Sequence, residues 1–276
     1  RDKRGGLVGS EMCIRDRYGD GLFETIAVRG GQPRFWNMHL DRLARGCDRL
    51  RLTMPRRKIL RRWLDDAIAA SNEDTTFCTA KLILTGGVAA RGYARSVPTK
   101  VRTYCRIYGS KPLARAHYVN GVSTVVCNTR LALFSVTAGC KTLNRLEQVI
   151  ARSEFAPDGA FEGLTLDADD RLICGTISNV FIVESGSIST PSLERCGVEG
   201  IMRRHVLEVL AASDLPVSVR DIGVSDLLSC DEVFLTNSQF GVLPVHRCGE
   251  RAWREHPVTR KVMSIASANN VAECAQ

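Results

Sequence analysis

The chain has 276 residues, of which 44% are hydrophobic and 25% charged, with a formal net charge of +8. These are ordinary globular proportions with room for two modest domains, and they exclude disorder. No apolar run reaches the ~18 residues of a membrane span and the first residues lack the apolar core of a signal peptide, so no membrane association and a cytoplasmic location are expected.

Eleven cysteines are scattered from Cys13 to Cys274 with no C-x-x-C pair and no metal-ligand spacing to the histidines. They read as reduced, mostly core residues, and no metal is expected. Lysines and arginines are interleaved with acids throughout, without a basic run carrying stacking aromatics. No nucleic-acid partner is expected, and the positive surplus suits small acidic ligands.

Residues 1–17 show neither strand nor helix period. The tract Met12-Cys13-Ile14-Arg15-Asp16-Arg17 looks like translated adapter sequence, so the stretch is read as non-native or as a divergent arm. Residues 22–36 predict a β-hairpin turning at Gly30-Gly31, because paired glycines supply the positive φ of tight hairpin turns. Apolar residues at 40, 43, 47 and 50 predict an amphipathic helix over 38–52, on which Arg42, taken alone, is a solvated charge. A second helix over 55–70 has a proline at its start, where a missing N–H costs nothing. Residues 77–84 and 101–108 are strand-like and flank a glycine-rich loop, Thr85 to Tyr93. The segment 109–118, with Lys111-Pro112, predicts a linker between a small domain (18–108) and a larger one (119–276).

After a strand over 121–129, residues 132–140 lead into Ala138-Gly139-Cys140-Lys141-Thr142-Leu143-Asn144-Arg145-Leu146-Glu147-Gln148-Val149-Ile150. Here Lys141 sits between a turn-prone tripeptide and a run whose apolar Leu143, Leu146 and Ile150 recur at helical spacing. The pattern places an amine at the mouth of a helix, although spacing alone fits a surface lysine equally well. Residues 164–173 and 179–184 alternate with turn residues and predict an antiparallel meander. Residues 190–210 form a turn and a helix, residues 232–235 a strand running into Thr236-Asn237-Ser238, and residues 241–245 another strand. The tail beyond Arg251 reads as a surface helix without an assigned role.

The lysine segment, AGCKTLNRLEQV, closely resembles that of 4-amino-4-deoxychorismate lyases, pyridoxal-phosphate enzymes of fold type IV. Four further motifs occur in the same order as in that family: Tyr18-Gly19-Asp20-Gly21-Leu22-Phe23-Glu24-Thr25, His39-Leu40-Asp41-Arg42-Leu43, Arg91-Gly92-Tyr93, and Cys196-Gly197-Val198-Glu199-Gly200-Ile201-Met202-Arg203. The resemblance runs from Tyr18 to about Arg247. It implies the two-domain α/β (α+β) fold of the D-amino-acid aminotransferase-like enzymes, a homodimer, pyridoxal 5'-phosphate as cofactor, and release of pyruvate from 4-amino-4-deoxychorismate to leave 4-aminobenzoate for folate synthesis. The family's roles carry over to Lys141 as the Schiff-base lysine and general base. Arg42, Gly200, Ile201, Met202, Asn237 and Ser238 would hold the cofactor phosphate, and Arg91 and Tyr93 the substrate carboxylates.

Two departures stand out. Gly86 occupies the place of a family arginine in the 85–93 loop. Aligning on Asn179 and Phe181 puts Cys174 where the family has the glutamate that pairs with the cofactor's pyridine nitrogen. A thiol supplies no fixed negative charge unless its pKa falls well below ~8.5, so a weaker electron sink is expected, which a reaction driven by aromatisation tolerates. Branched-chain and D-amino-acid aminotransferases share the lysine and phosphate grip and are the alternative activity. An inactive, basic nucleic-acid-binding descendant of the fold is the non-enzymatic one.

Overall fold

The computed structural model describes residues 18–87, 93–95, 99–133, 136–156 and 158–275. The chain builds two sheets in succession. The first is antiparallel, with strands β1 (Gly21–Arg29), β2 (Gln32–Pro33), β3 (Phe77–Thr85) and β4 (Arg102–Gly109) in the order β2-β1-β3-β4. Gly30 and Gly31 have φ of 54° and 73°, so the glycine pair makes the expected β1–β2 turn. Two helices, α1 (Trp36–Leu50) and α2 (Arg57–Ala69), cover the sheet. Leu40 and Leu43 of α1 and Leu60 of α2 are buried with Leu22, Leu82 and Leu84 of the strands. Pro55 lies before α2 rather than at its first position, because the helix starts only at Arg57.

The segment read as a linker is partly helical: α3 (Arg115–Asn120) ends it. The second sheet then collects β5 (Val122–Leu131), β6 (Glu162–Asp167), β7 (Leu172–Gly175), β8 (Asn179–Glu184), β9 (Ser187–Pro191), β10 (Val217–Arg220), β11 (Glu232–Asn237), β12 (Gly241–Cys248) and β13 (Arg251–Ala252). Its order is β10-β9-β8-β11-β12-β5-β6-β7, with β13 beside β12. The expected meander is therefore corrected. β6–β7 and β8–β9 are hairpins, but β8 pairs with β11 and β6 with β5, so the two hairpins lie in separate parts of the sheet. The sheet curls until β7 and β8 touch, and it is wrapped by α4 (Leu146–Ser153), α5 (Ile201–Ala211), α6 (Val224–Ser229) and α7 (Pro257–Ala268). Phe181 and Phe234, both fully buried, stack at its centre with ring centroids 4.7 Å apart.

The tail is core rather than surface. Val262, Met263 and Ala266 of α7 are fully buried, and the buried Glu232 carboxylate accepts the Val258 and Thr259 amides at 2.8 Å, an anion seated at a helix N-terminus. Beyond α7, Glu273 pairs with Arg29 and Arg34 of the first sheet. Arg29 and Arg34 also donate to the carbonyls of Gln239 and Ser238, so this corner joins the two sheets. Among the described residues, no helix is long and apolar enough to cross a membrane.

Candidate active site

Lys141 lies in an extended segment stitched on both sides. The Phe23 amide donates to the Lys141 carbonyl at 3.0 Å and the Leu143 amide to Gly21 at 2.9 Å, so the segment is fastened to β1. On the other side the Gly139 amide donates to Gly197 and the Glu199 amide to Gly139, both at 3.0 Å. Gly139 has a φ of 75°, a conformation that a residue with a Cβ resists. The lysine is thus held between the first sheet and the loop leading into α5, not at the mouth of its own helix, since α4 starts only at Leu146. The apolar face of α4 is also turned outward: Leu146 is 70% and Val149 62% exposed.

The Lys141 ammonium faces the Phe23 ring, 4.5 Å from its centroid. Lys141 opens on a cavity of about 580 Å³ while its amine sits deep among protein atoms. Burial lowers its pKa to about 7, with the Arg42 charge adding to the effect and Glu24 opposing it. The amine is therefore largely neutral, hence nucleophilic and basic, just above neutral pH.

Arg42, on the inner face of α1, lines the same cavity. Its Nε donates to Glu24 Oε1 at 2.9 Å, Nη2 to Glu24 Oε2, and Nη1 to the Glu199 carbonyl at 2.9 Å. A guanidinium has five donors, so two remain for a ligand. Behind it His39 Nδ1 lies 2.6 Å from Glu24 Oε2. Glu24 is fully buried, and although burial opposes it, Arg42 and His39 hold its pKa down to about 2. Burial keeps His39 neutral. Glu24 was not singled out from the sequence, yet a carboxylate inside an otherwise apolar buried strand was a readable signal, because such groups are rarely buried unpaired.

Gly200 caps α5 and leaves room for Asn179, whose Oδ1 would stand 1.9 Å from a Cβ there. Asn179 Nδ2 bonds the Val198 carbonyl at 3.0 Å, fixing the helix start. The first bond of the helix runs from Arg204 to Gly200, so the amides of Ile201 and Met202 have no intrahelical acceptor and open toward the cavity they line. Across it, Asn237 and Ser238 also line the wall, but their side chains are engaged: Asn237 donates to Ile177 and accepts the Gln239 amide, and Ser238 Oγ donates to Thr25 at 3.0 Å. The neighbouring Thr236 hydroxyl is buried without a partner and faces the same space, a residue the sequence pattern passed over.

Cys174 is buried on the cavity wall, and burial pushes its thiol up to about 11 although Thr165 counters it. It remains protonated at neutral pH. The turn after it is held by the buried Glu162, which accepts the Thr176 amide at 3.0 Å, the Ile177 amide at 3.1 Å and the Ser178 hydroxyl at 2.7 Å. Gly175 is required there, because a Cβ would fall 2.6 Å from Glu162 Oε2.

Of the remaining sequence-predicted residues, Arg91 lies outside the described residues. Tyr93 is 84% exposed, its ring 4.9 Å from that of Tyr18, and does not line the cavity. Gly86 has a local reason: a Cβ would meet Asp20 Oδ2 at 2.1 Å, where Asp20 is engaged by Arg95. Among the described residues the cavity lining includes four bases, Arg42, Lys141, Arg145 and Arg152, and no acid. Among the described residues no group of His, Cys, Asp and Glu is placed to hold a metal.

A curled mixed sheet behind a smaller antiparallel one, with a buried lysine and a helix N-terminus at their junction, is the architecture of the fold type IV pyridoxal-phosphate enzymes. The chain matches the family model for Amino-transferase class IV over residues 21–248 and belongs to that family. It is 36% identical to the aminodeoxychorismate lyase of Vibrio harveyi over 87% of this chain and 88% of that one. The structure superposes on 4-amino-4-deoxychorismate lyase from Pseudomonas aeruginosa with a TM-score of 0.89 at 39% identity, covering 98% of both chains. The branched-chain amino acid aminotransferase of Escherichia coli shares the fold, with a TM-score of 0.85 at 20% identity over 95% of this chain and 89% of that one.

Proposed function

We propose that the protein is a pyridoxal-phosphate-dependent aminodeoxychorismate lyase, converting 4-amino-4-deoxychorismate to 4-aminobenzoate and pyruvate. The observation that carries the reading is the Lys141 amine, fixed at the junction of the two sheets with its pKa lowered by burial to about 7, in a chain whose relatives at 36% and 39% identity are lyases of this name.

The cavity suits the cofactor. Arg42 retains two donors, the amides of Ile201 and Met202 are open, and the Thr236 hydroxyl is buried without a partner, a donor set that matches a phosphate. Asn237 and Ser238, whose side-chain donors are engaged, would shape that end through their backbone. When bound, pyridoxal phosphate supplies an electron sink for the carbon that bears the substrate's amine. Lys141 would take the proton from that carbon, the bond between the ring and the enolpyruvyl oxygen would break as the ring becomes aromatic, and the departing enolpyruvate would take up a proton to become pyruvate. Glu24 and His39 hold Arg42 in place, and Phe23 walls the amine from water, so the reacting atoms keep their alignment. Cys174, protonated, offers the ring nitrogen no charge, and the aromatic product supplies the driving force a stronger sink would otherwise give.

The division into domains at 18–108 and 119–276 is supported by the two sheets, the first ending at Gly109 and the second starting at Val122. A homodimer is supported by the outward apolar residues Leu146, Val149, Ile150 and Ile177 beside the cavity, a patch of the kind that marks interfaces. Tyr93, turned away from its own cavity, suits a contribution to the partner's site. A cytoplasmic setting is supported by the ten described cysteines, all free.

The test is formation of 4-aminobenzoate and pyruvate in equal amounts from 4-amino-4-deoxychorismate with added pyridoxal phosphate, beside a Lys141→Ala control. Amino-group exchange between amino acids and 2-oxo acids without pyruvate release would sink the lyase reading in favour of an aminotransferase.

A further inference from the structure

We propose that Arg145 and Gln148, with Arg152 one helical turn beyond, form the carboxylate-binding wall of the cavity and select a substrate by its anionic group. The inference deepens the lyase reading and rests on it for the identity of the substrate, but not for the presence of the wall.

The three residues stand at i, i+3 and i+7, one face of α4 and its N-cap, and all line the cavity. Arg145 lies within the lysine segment, four residues after Lys141, and its Nη2 donates to Thr142 Oγ1 at 2.9 Å, which turns the guanidinium toward the Lys141 side. That bond uses one of five donors. Its Nε is buried with no partner, and so is Gln148 Oε1. Among the described residues Arg145 makes no ion pair: the adjacent Glu147 is turned away to accept the Ala132 amide at 3.0 Å. Arg152 is likewise without an acid, its guanidinium lying over Phe155 and donating to that residue's carbonyl.

A buried guanidinium nitrogen with no acceptor costs free energy unless a ligand supplies one. Arg42 has a resident carboxylate in Glu24; Arg145 has none. With no acid in the cavity lining among the described residues, a ligand's carboxylate is the acceptor that would both pair this nitrogen and balance its charge. A planar fork beside an amide that can present either its oxygen or its nitrogen matches a carboxylate. The phosphate-competent donors of Arg42 and the α5 start belong to other elements. Val149 and Ile177, which also line the cavity, would flank an apolar ring carrying that carboxylate.

The experiment compares 4-aminobenzoate with 4-aminobenzamide, an uncharged isostere, by calorimetric titration into the cofactor-loaded native protein and the Arg145→Gln, Arg145→Lys and Gln148→Leu variants. The native protein is expected to prefer the carboxylate by roughly 10- to 100-fold, the range of a charged hydrogen bond. Arg145→Gln should erase the preference, Arg145→Lys restore part of it, and Gln148→Leu reduce it. Cofactor absorption and melting temperature should stay at native values, which reports folding independently. In turnover, Arg145→Gln should raise KM for 4-amino-4-deoxychorismate with kcat less affected. A native protein that does not distinguish the two probes, or an Arg145→Gln protein that keeps the full preference, overturns the wall. Absence of 4-aminobenzoate formation by a native protein whose carboxylate preference depends on Arg145 overturns the lyase reading and leaves the wall standing.

Discussion

Arg42 and Arg145 line one cavity and differ in how they are neutralised. Arg42 is locked by a buried carboxylate, a backbone carbonyl and a histidine standing behind, whereas Arg145 holds a single neutral hydroxyl and leaves its Nε without a partner. The first arrangement fixes a charge so that its two free donors always point the same way. The second keeps a charge in reserve. A guanidinium satisfied by the protein is part of the fold, and one left unsatisfied inside the protein is a standing cost that a ligand relieves.

The largest expected effect falls on the amine that both charges act upon. Lys141→Ala should lower 4-aminobenzoate formation by at least roughly 10²–10⁴-fold, the scale of a lost general base, as read by product assay. A variant within tenfold of native would show that another group takes the proton. Next, Glu24→Ala leaves Arg42 as an uncompensated buried charge and should cost about 3–5 kcal/mol in denaturant unfolding, while Arg145→Leu should leave stability unchanged or slightly raised, because it removes an orphaned donor. Equal losses in the two variants would abolish the distinction between them.

The pH response carries the same contrast. Glu24 titrates near 2 in the folded protein, below an unfolded carboxylate at ~4.3. Its stabilisation is thus complete above the unfolded value and is lost as pH falls toward 2. Lys141 runs the other way. With a folded pKa of about 7 against an unfolded ~10.4, the unfolded chain binds more protons between those values, so this residue makes stability of the cofactor-free protein rise with pH across that window. Lys141→Met should flatten that slope in pH-dependent melting, and an unchanged slope would mean the amine is solvated. The smallest effect is expected at Cys174, whose thiol stays protonated: Cys174→Glu should move lyase turnover by less than about tenfold, one power of ten being ~1.4 kcal/mol of barrier. A much larger gain would mark the thiol as a handicap rather than a tolerated feature.

The sequence made the lysine segment, Arg42 and the start of α5 readable, because each is a short run whose chemistry is local. Glu24 was visible as an oddity, but its partners are 15 and 18 residues away in the chain and meet it only when α1 packs against β1. Periodicity found α4 and mistook its meaning, since a repeat of Leu146 and Ile150 says which residues share a face and not what covers that face. Hairpins were read correctly as pairs, while their positions in the sheet depend on β8 pairing with β11 and β12 with β5, contacts with no local signature. The tail helix carries Val258, Val262, Met263 and Ile265 among polar residues, a pattern that gives an apolar face without saying whether a sheet covers it.

Glu273 gives the molecule an order of assembly. It clamps Arg29 and Arg34, and it follows Arg29 by 244 residues. At ribosomal speeds of ~5–20 residues per second, those two arginines wait on the order of 10–50 s for their acid. Throughout that interval the corner that joins the two sheets is incomplete, so the nascent first sheet stands unclamped at that corner.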